Sequence, residues 1–181
     1  MVKLQTAKIG ILGGSFDPAH KGHVEISKIA IQKVRLEKIY WIITKKNPFK
    51  KKPFFSLKQR IGYSRKILKN VKKVQILYLE DMIKSSRSID IIKYFFNKKK
   101  IKNLYFIVGS DILIDLHKWK SWKKIVKLTK LIVFSRKGYD KKSKDSIVVK
   151  YLKKNKITFI KNKPIQISST FLRNKISKII K

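Results

Sequence analysis

The chain predicts an α/β fold of the doubly wound class, a mainly parallel sheet with helices on both faces, and three observations carry that expectation. Short apolar runs, each about the length of a strand buried on both sides, alternate with stretches of helical periodicity. The first of these runs passes directly into a glycine turn and then a helix. The 181 residues are 43% hydrophobic and 11% aromatic, enough for one sizeable core in a single domain spanning 1–181; at this length folding buries roughly 70% of the surface the unfolded chain exposes.

The elements follow in order. KIGILGG (8–14) reads as a buried strand ending in a glycine turn, and GHVEISKIAIQKV (22–34) as a helix with Val24, Ile29, Ile31 and Val34 at apolar positions. KIYWIIT (38–44) is a second strand. A lysine-laden loop punctuated by prolines (45–54) leads to a helix over 56–69 that Ser56 can cap. KVQILYLE (73–80) is a third strand, followed by a polar turn and a helix near 88–97. LYFIVGSD (104–111) is a fourth, broken at Gly109, and a helical stretch carrying Trp119 and Trp122 precedes a fifth, KLIVFSR (130–136). ITFI (157–160) makes a sixth short strand, and STFLRNKISKII (169–180) a closing helix. No internal repeat and no low-complexity linker interrupts the series.

Composition narrows the chemistry. With no cysteine, disulfides, thiolate metal sites and cysteine nucleophiles are excluded. No apolar run reaches the roughly 18–20 residues that span a bilayer, and the N-terminus enters a strand pattern rather than a signal peptide, so a cytoplasmic protein is expected. The formal charge of +37 would speed encounter with any polyanion, yet the lysines spread over every element instead of forming one basic stripe, so no specific nucleic-acid surface is expected. An RNA-binding protein on a nucleotide-binding scaffold is the non-enzyme alternative. Only six basic residues are arginines (Arg35, Arg60, Arg65, Arg87, Arg136 and Arg173), and each therefore carries more information than a lysine.

In a doubly wound sheet, ligands bind at the carboxyl ends of the strands, and GGSFDPAHKGH (13–23) occupies such an end. Gly13 and Gly14 let a phosphate approach the backbone, and the helix beginning at or after His20 offers N–H groups and a positive dipole. Neither the P-loop nor the dinucleotide-binding glycine spacing is present. His20 and His23, three apart, fall on one face if both are helical. A zinc site would need a third ligand, and only His117 remains, so phosphate stabilisation is the stronger reading and no protein metal ligand is assigned.

GGSFDPAHKGH resembles the GxFDPxHxGH signature of the HxGH nucleotidyltransferases, which transfer AMP or CMP to a phosphorylated acceptor and release pyrophosphate. Ile167, Ser168, Ser169, Thr170 and Arg173 match a second signature, ISSTxxR, at the start of a late helix. Within that superfamily the chain resembles nicotinate-nucleotide adenylyltransferase over nearly its whole length: GSDILIDLHKWKSW (109–122) is similar to the family's G-x-D segment with a tryptophan at fixed distance, SRKGY (135–139) to its R-x-G-Y turn, and NPFK (47–50) to an N-P-L-K loop. Phosphopantetheine adenylyltransferase shares the first motif but has Asn at the first histidine position and lacks the tryptophan segment; it is the runner-up.

The resemblance implies a Rossmann-like fold and transfer of AMP from ATP to nicotinate mononucleotide, giving deamido-NAD and pyrophosphate. It implies His20, His23 and Arg173 as the catalytic set and Gly13, Gly14, Ser15, Phe16, Ser168, Ser169 and Thr170 as the ATP contacts. Trp119 would stack on the pyridine ring and Asp111 would hold a ribose, while Lys50 and Arg136 would meet the acceptor phosphate or the triphosphate tail. Mg²⁺ would be bound mainly through ATP phosphates. The family's S-Y-T segment, which helps select the acid, is Ser86, Arg87 and Ser88 here; Ser88 keeps a hydroxyl and an N–H for the carboxylate. Trp122 reads as a packing residue, His117 equally as an exposed helix residue or a functional one, and Asp17 and Pro18 as setters of the turn.

Overall fold

A computed structural model of the chain describes residues 7–45, 52–162 and 167–179. Six strands form one sheet: β1 (Ile9–Gly14), β2 (Lys38–Ile43), β3 (Val74–Leu77), β4 (Leu104–Gly109), β5 (Thr129–Phe134) and β6 (Ile157–Ile160), in the order β3-β2-β1-β4-β5-β6. Every pairing is parallel. The order reverses between β1 and β4, so the crevice for a ligand opens above their carboxyl ends.

The helices are α1 (Lys21–Val34), α2 (Leu57–Ile67), α3 (Glu80–Ile83), α4 (Ser88–Lys93, continued by a π turn Tyr94–Lys98), α5 (Ser110–Asp115), α6 (Trp122–Leu128), α7 (Asp140–Lys144), α8 (Ile147–Tyr151) and α9 (Ser169–Ile179). Strand alternation divides the core in two. Ile11, Phe106, Val108, Leu131 and Val133 face one way, where Ile92 and Phe95 of the α4 stretch, Leu113 of α5, Val126 of α6 and Val148 of α8 cover them. Leu12, Ile39, Trp41, Ile107 and Ile132 face the other way and pack on Ala30 of α1 and Ile61 and Ile67 of α2. A parallel sheet buried on both faces requires this continuous apolar character.

The expected elements hold, with three corrections. The third strand ends at Leu77, because the chain turns into α3 at Glu80. Trp119 lies outside any helix, in an extended turn between α5 and α6. The short helices α7 and α8, which bury Ser143 and Val148, lie in a stretch where the sequence marked no element. Of the two starts the sequence allowed for the first helix, the later one holds: His20 is the N-cap of α1, with extended backbone angles (φ −146°, ψ 169°).

Candidate active site

The first loop shapes the crevice. β1 ends at Gly14, just after Gly13, around which there is open space, and Phe16 turns the chain with φ 46° before a cis Asp17–Pro18 bond. The buried Phe16 ring stacks on Trp41 at 4.7 Å and meets His23 at 4.9 Å, while the Trp41 indole N–H donates to Ser27 Oγ in α1. Aromatic packing thus holds the start of α1 against the end of β2.

Histidines cap α1 reciprocally. The Gly22 N–H donates to His20 Nδ1 at 3.1 Å and the His20 N–H donates to His23 Nδ1 at 3.2 Å, bringing the rings to 3.9 Å. A backbone N–H can only donate, so both Nδ1 atoms accept, and the proton of each neutral ring sits on Nε2. Burial, with the nearby Arg136 cation, lowers the His20 pKa to about 4. His20 is therefore a neutral imidazole at ordinary pH, with a fixed tautomer and Nε2–H as its donor.

The start of α9 closes against the same loop. Ser168 Oγ accepts from the Phe171 N–H and so caps the helix; Ser169 Oγ donates to the Pro18 carbonyl at 2.9 Å. Arg173 donates from Nη1 to the Asp17 carbonyl at 2.6 Å and from Nη2 to Thr170 Oγ1 at 3.0 Å. Residues from the two ends of the chain thus meet within one turn of His20.

Asp17 does more than set its own turn. Its carboxylate, 5% exposed, accepts from the Phe54 and Phe55 N–H groups at 2.8 and 2.9 Å and lies 3.8 Å from Arg173 Nη1. Arg60, unassigned on sequence grounds, is 1% exposed and donates to the carbonyls of Ser15, Thr44, Lys45 and Phe55. The available signal was its place on the inward stripe of α2 beside Ser64, as an arginine in a chain rich in lysine.

Beyond β1 the crevice continues over β4 and β5. Asp111 is the second residue of α5, and Arg136 Nε stands 3.9 Å from its Oδ1, an atom that is buried and has no hydrogen bond among the described residues. Gly109 makes this juxtaposition sterically possible, since a Cβ there would overlap Asp111 Oδ1 and come within 3.2 Å of Arg136 Nε. Asp140, also missed by sequence reading, accepts from Ser110 Oγ at 2.9 Å, from Ser135 Oγ and from the Arg136 N–H at 3.1 Å, which keeps its carboxyl below the usual range and ties the ends of β4 and β5 together.

Ser88 is the first residue of α4, and Trp119 packs edge-on to Phe106 at 6.3 Å, on the same face of the sheet as α4. Trp122 packs edge-on against Tyr151 at 5.1 Å, a packing role as expected. His117 Nδ1 lies 2.9 Å from the Ile114 carbonyl, away from the other two histidines. Lys50 lies outside the described residues, as does most of the lysine-rich loop. The structure brings together Gly13, Gly14, Ser15, Phe16, His20, His23, Ser168, Ser169, Thr170 and Arg173 around one loop; Arg136 and Asp111 flank them, and Ser88 and Trp119 lie toward the other face.

A family model for cytidylyltransferase-like proteins matches residues 11–175. A probable nicotinate-nucleotide adenylyltransferase of Pelagibacter ubique is 47% identical over 166 residues, 92% of each chain. The chain belongs to the nicotinate-nucleotide adenylyltransferase family. A second relative so named, from Endomicrobium trichonymphae, is 34% identical over 92% of this chain and 84% of its own. The fold of this family member matches that of Plasmodium falciparum nicotinic acid mononucleotide adenylyltransferase complexed with NaAD, with a TM-score of 0.75 at 21% identity over 95% of this chain and 89% of that one. No helix among the described residues is long and apolar enough to cross a membrane.

Proposed function

We propose that the chain transfers AMP from ATP to the 5′-phosphate of nicotinate mononucleotide, producing deamido-NAD and pyrophosphate in NAD biosynthesis. The observation that carries the reading is the pair of interlocked histidines capping α1, with Arg173 and the start of α9 across the loop from them. An oxygen of the acceptor phosphate attacks the α-phosphorus of ATP in line; the bond from that phosphorus to the bridging oxygen breaks, and pyrophosphate leaves with the electron pair. No covalent nucleophile on the protein is needed. Positioning and charge stabilisation supply the rate.

His20 and His23 donate from Nε2–H to triphosphate oxygens, and their fixed Nδ1 bonds leave no reorganisation to be done as charge develops on the leaving group. Arg173, Ser169, Thr170 and the Ser168-capped end of α9 hold the β- and γ-phosphates, a bidentate cation beside a helix N-terminus. Gly13, Gly14, Ser15 and Phe16 line the nucleotide cleft. Magnesium would be supplied with ATP and bound mainly through its phosphates, helping to neutralise the leaving pyrophosphate, and no residue of this chain is assigned as its ligand. On the other side Asp111 takes a ribose hydroxyl, Arg136 the acceptor phosphate or the triphosphate tail, Trp119 the pyridine face, and Ser88 the carboxylate.

The test is pyrophosphate release from Mg²⁺–ATP with nicotinate mononucleotide, nicotinamide mononucleotide and phosphopantetheine supplied separately. The expected result is release with the nicotinate acceptor. Release with phosphopantetheine alone would keep the triphosphate site and overturn the acceptor assignment.

A further inference from the structure

Arg60 carries a guanidinium into a place where lysine would be a poor substitute. Four of its five N–H groups donate to backbone carbonyls: Nη1 to Ser15 and Thr44 at 2.7 Å each, Nη2 to Lys45 at 2.9 Å, and Nε to Phe55 at 3.1 Å. No carboxylate lies in ion-pair contact with it among the described residues, and burial lowers its pKa from the usual arginine value. The three acceptor segments are the catalytic loop, the carboxyl end of β2 and the approach to α2. Ser15 directly precedes Phe16, whose left-handed backbone aims its ring at His23. Asp17, two residues further on, receives the Phe54 and Phe55 N–H groups, so the catalytic loop and the approach to α2 are joined at both polarities of the backbone.

We infer that Arg60 is a positioning residue for the adenylyl-transfer reaction: by clamping the Ser15 carbonyl to the end of β2 it fixes the Phe16 turn and, through it, the His20–His23 pair. The inference rests on the proposed transferase reading, and it concerns geometry rather than contact, since Arg60 is buried away from substrate. Uncharged replacement of similar length leaves four part-buried carbonyls without their donor, whereas lysine can restore three at most.

The experiment compares wild type, Arg60→Met and Arg60→Lys in steady-state kinetics with nicotinate mononucleotide, alongside long-range ¹H–¹⁵N spectra of the histidine rings in the ligand-free proteins. Arg60→Met is expected to lower kcat by about 100-fold, the scale of a misplacement near 1 Å, with a smaller rise in KM for ATP. Its His20 and His23 ring signals should lose the Nε2–H pattern, and Arg60→Lys should recover both readouts in part. Should Arg60→Met fail to fold, the lysine variant carries the test: intermediate kcat with shifted ring signals supports the inference. Wild-type kcat and unchanged ring signals in either folded variant would overturn it. An inactive wild type would instead refute the transferase reading, while the ring spectra would still report whether Arg60 holds the histidines.

Discussion

The two halves of the crevice are built differently. Around the first loop three side chains are fastened to partners far away in sequence: Asp17 to Phe54 and Phe55, Arg60 to Ser15 and Thr44, Arg173 to Asp17. Over β4 and β5 the fastening is to the framework alone. Asp140 secures Ser110, Ser135 and the Arg136 N–H, yet the Arg136 side chain is 57% exposed and the Asp111 Oδ1 atom accepts no hydrogen bond among the described residues. The contrast matches the role proposed for each half. The half assigned to the triphosphate would present donors to charge that appears in the transition state, which rewards preorganisation. The half assigned to the acceptor keeps polar capacity for a ligand to satisfy.

The largest test of that contrast is removal of a preorganised donor. His23→Ala deletes both a phosphate donor and the Nδ1 that receives the His20 N–H, and should lower kcat by roughly 100- to 1,000-fold, the range for losing one such donor. Retention of kcat with a rise in KM alone would mean that the pair binds ATP without favouring the transition state.

Gly109→Ala addresses the other half. The added methyl must displace Asp111 Oδ1 and crowd Arg136, so KM should rise by about tenfold for the substrate whose ribose Asp111 holds, with a smaller change in kcat. An unchanged KM for both substrates would remove Asp111 from the site. Arg136→Ala complements it through His20. Because burial is the larger cause of the His20 shift and Arg136 the smaller, the ring should titrate near 4 in the wild type and only somewhat higher in the variant, followed by NMR. Bound triphosphate should raise the midpoint in both. The sign for stability is set by the unfolded chain, which binds this proton between about pH 4 and 6.5 while the folded one does not. Stability should therefore fall as pH drops through that window, and His20→Gln should lessen the fall.

The legible parts of the sequence were those encoded over short distances. β1, its glycine turn and α1 could be read because strand periodicity, punctuation and helical spacing lie within 26 residues, Ile9 to Val34. The closing helix was legible from the serines before it. For His20 the sequence left open whether the helix contained it or began just after it; the ring takes the place of the usual Ser or Asp as N-cap, so the second holds. Arg60 and Asp140 were not legible, since each joins a distant segment, Ser15 lying 45 residues from Arg60 and Ser110 30 from Asp140, and the physics that places them is satisfaction of part-buried carbonyls and hydroxyls rather than a local pattern. The role of Asp17 was misjudged for the same reason, its partners being 37 and 38 residues off.

The central claim is the division of labour between the halves, and Trp119→Ala tests it most directly. With KM measured separately for ATP and nicotinate mononucleotide, the account predicts a rise of about tenfold or more for the acceptor, as expected for loss of one stacking contact of about 1–3 kcal/mol, with KM for ATP unchanged. Equal increases for both substrates, or no change in either, would contradict the assignment of that face to the pyridine nucleotide.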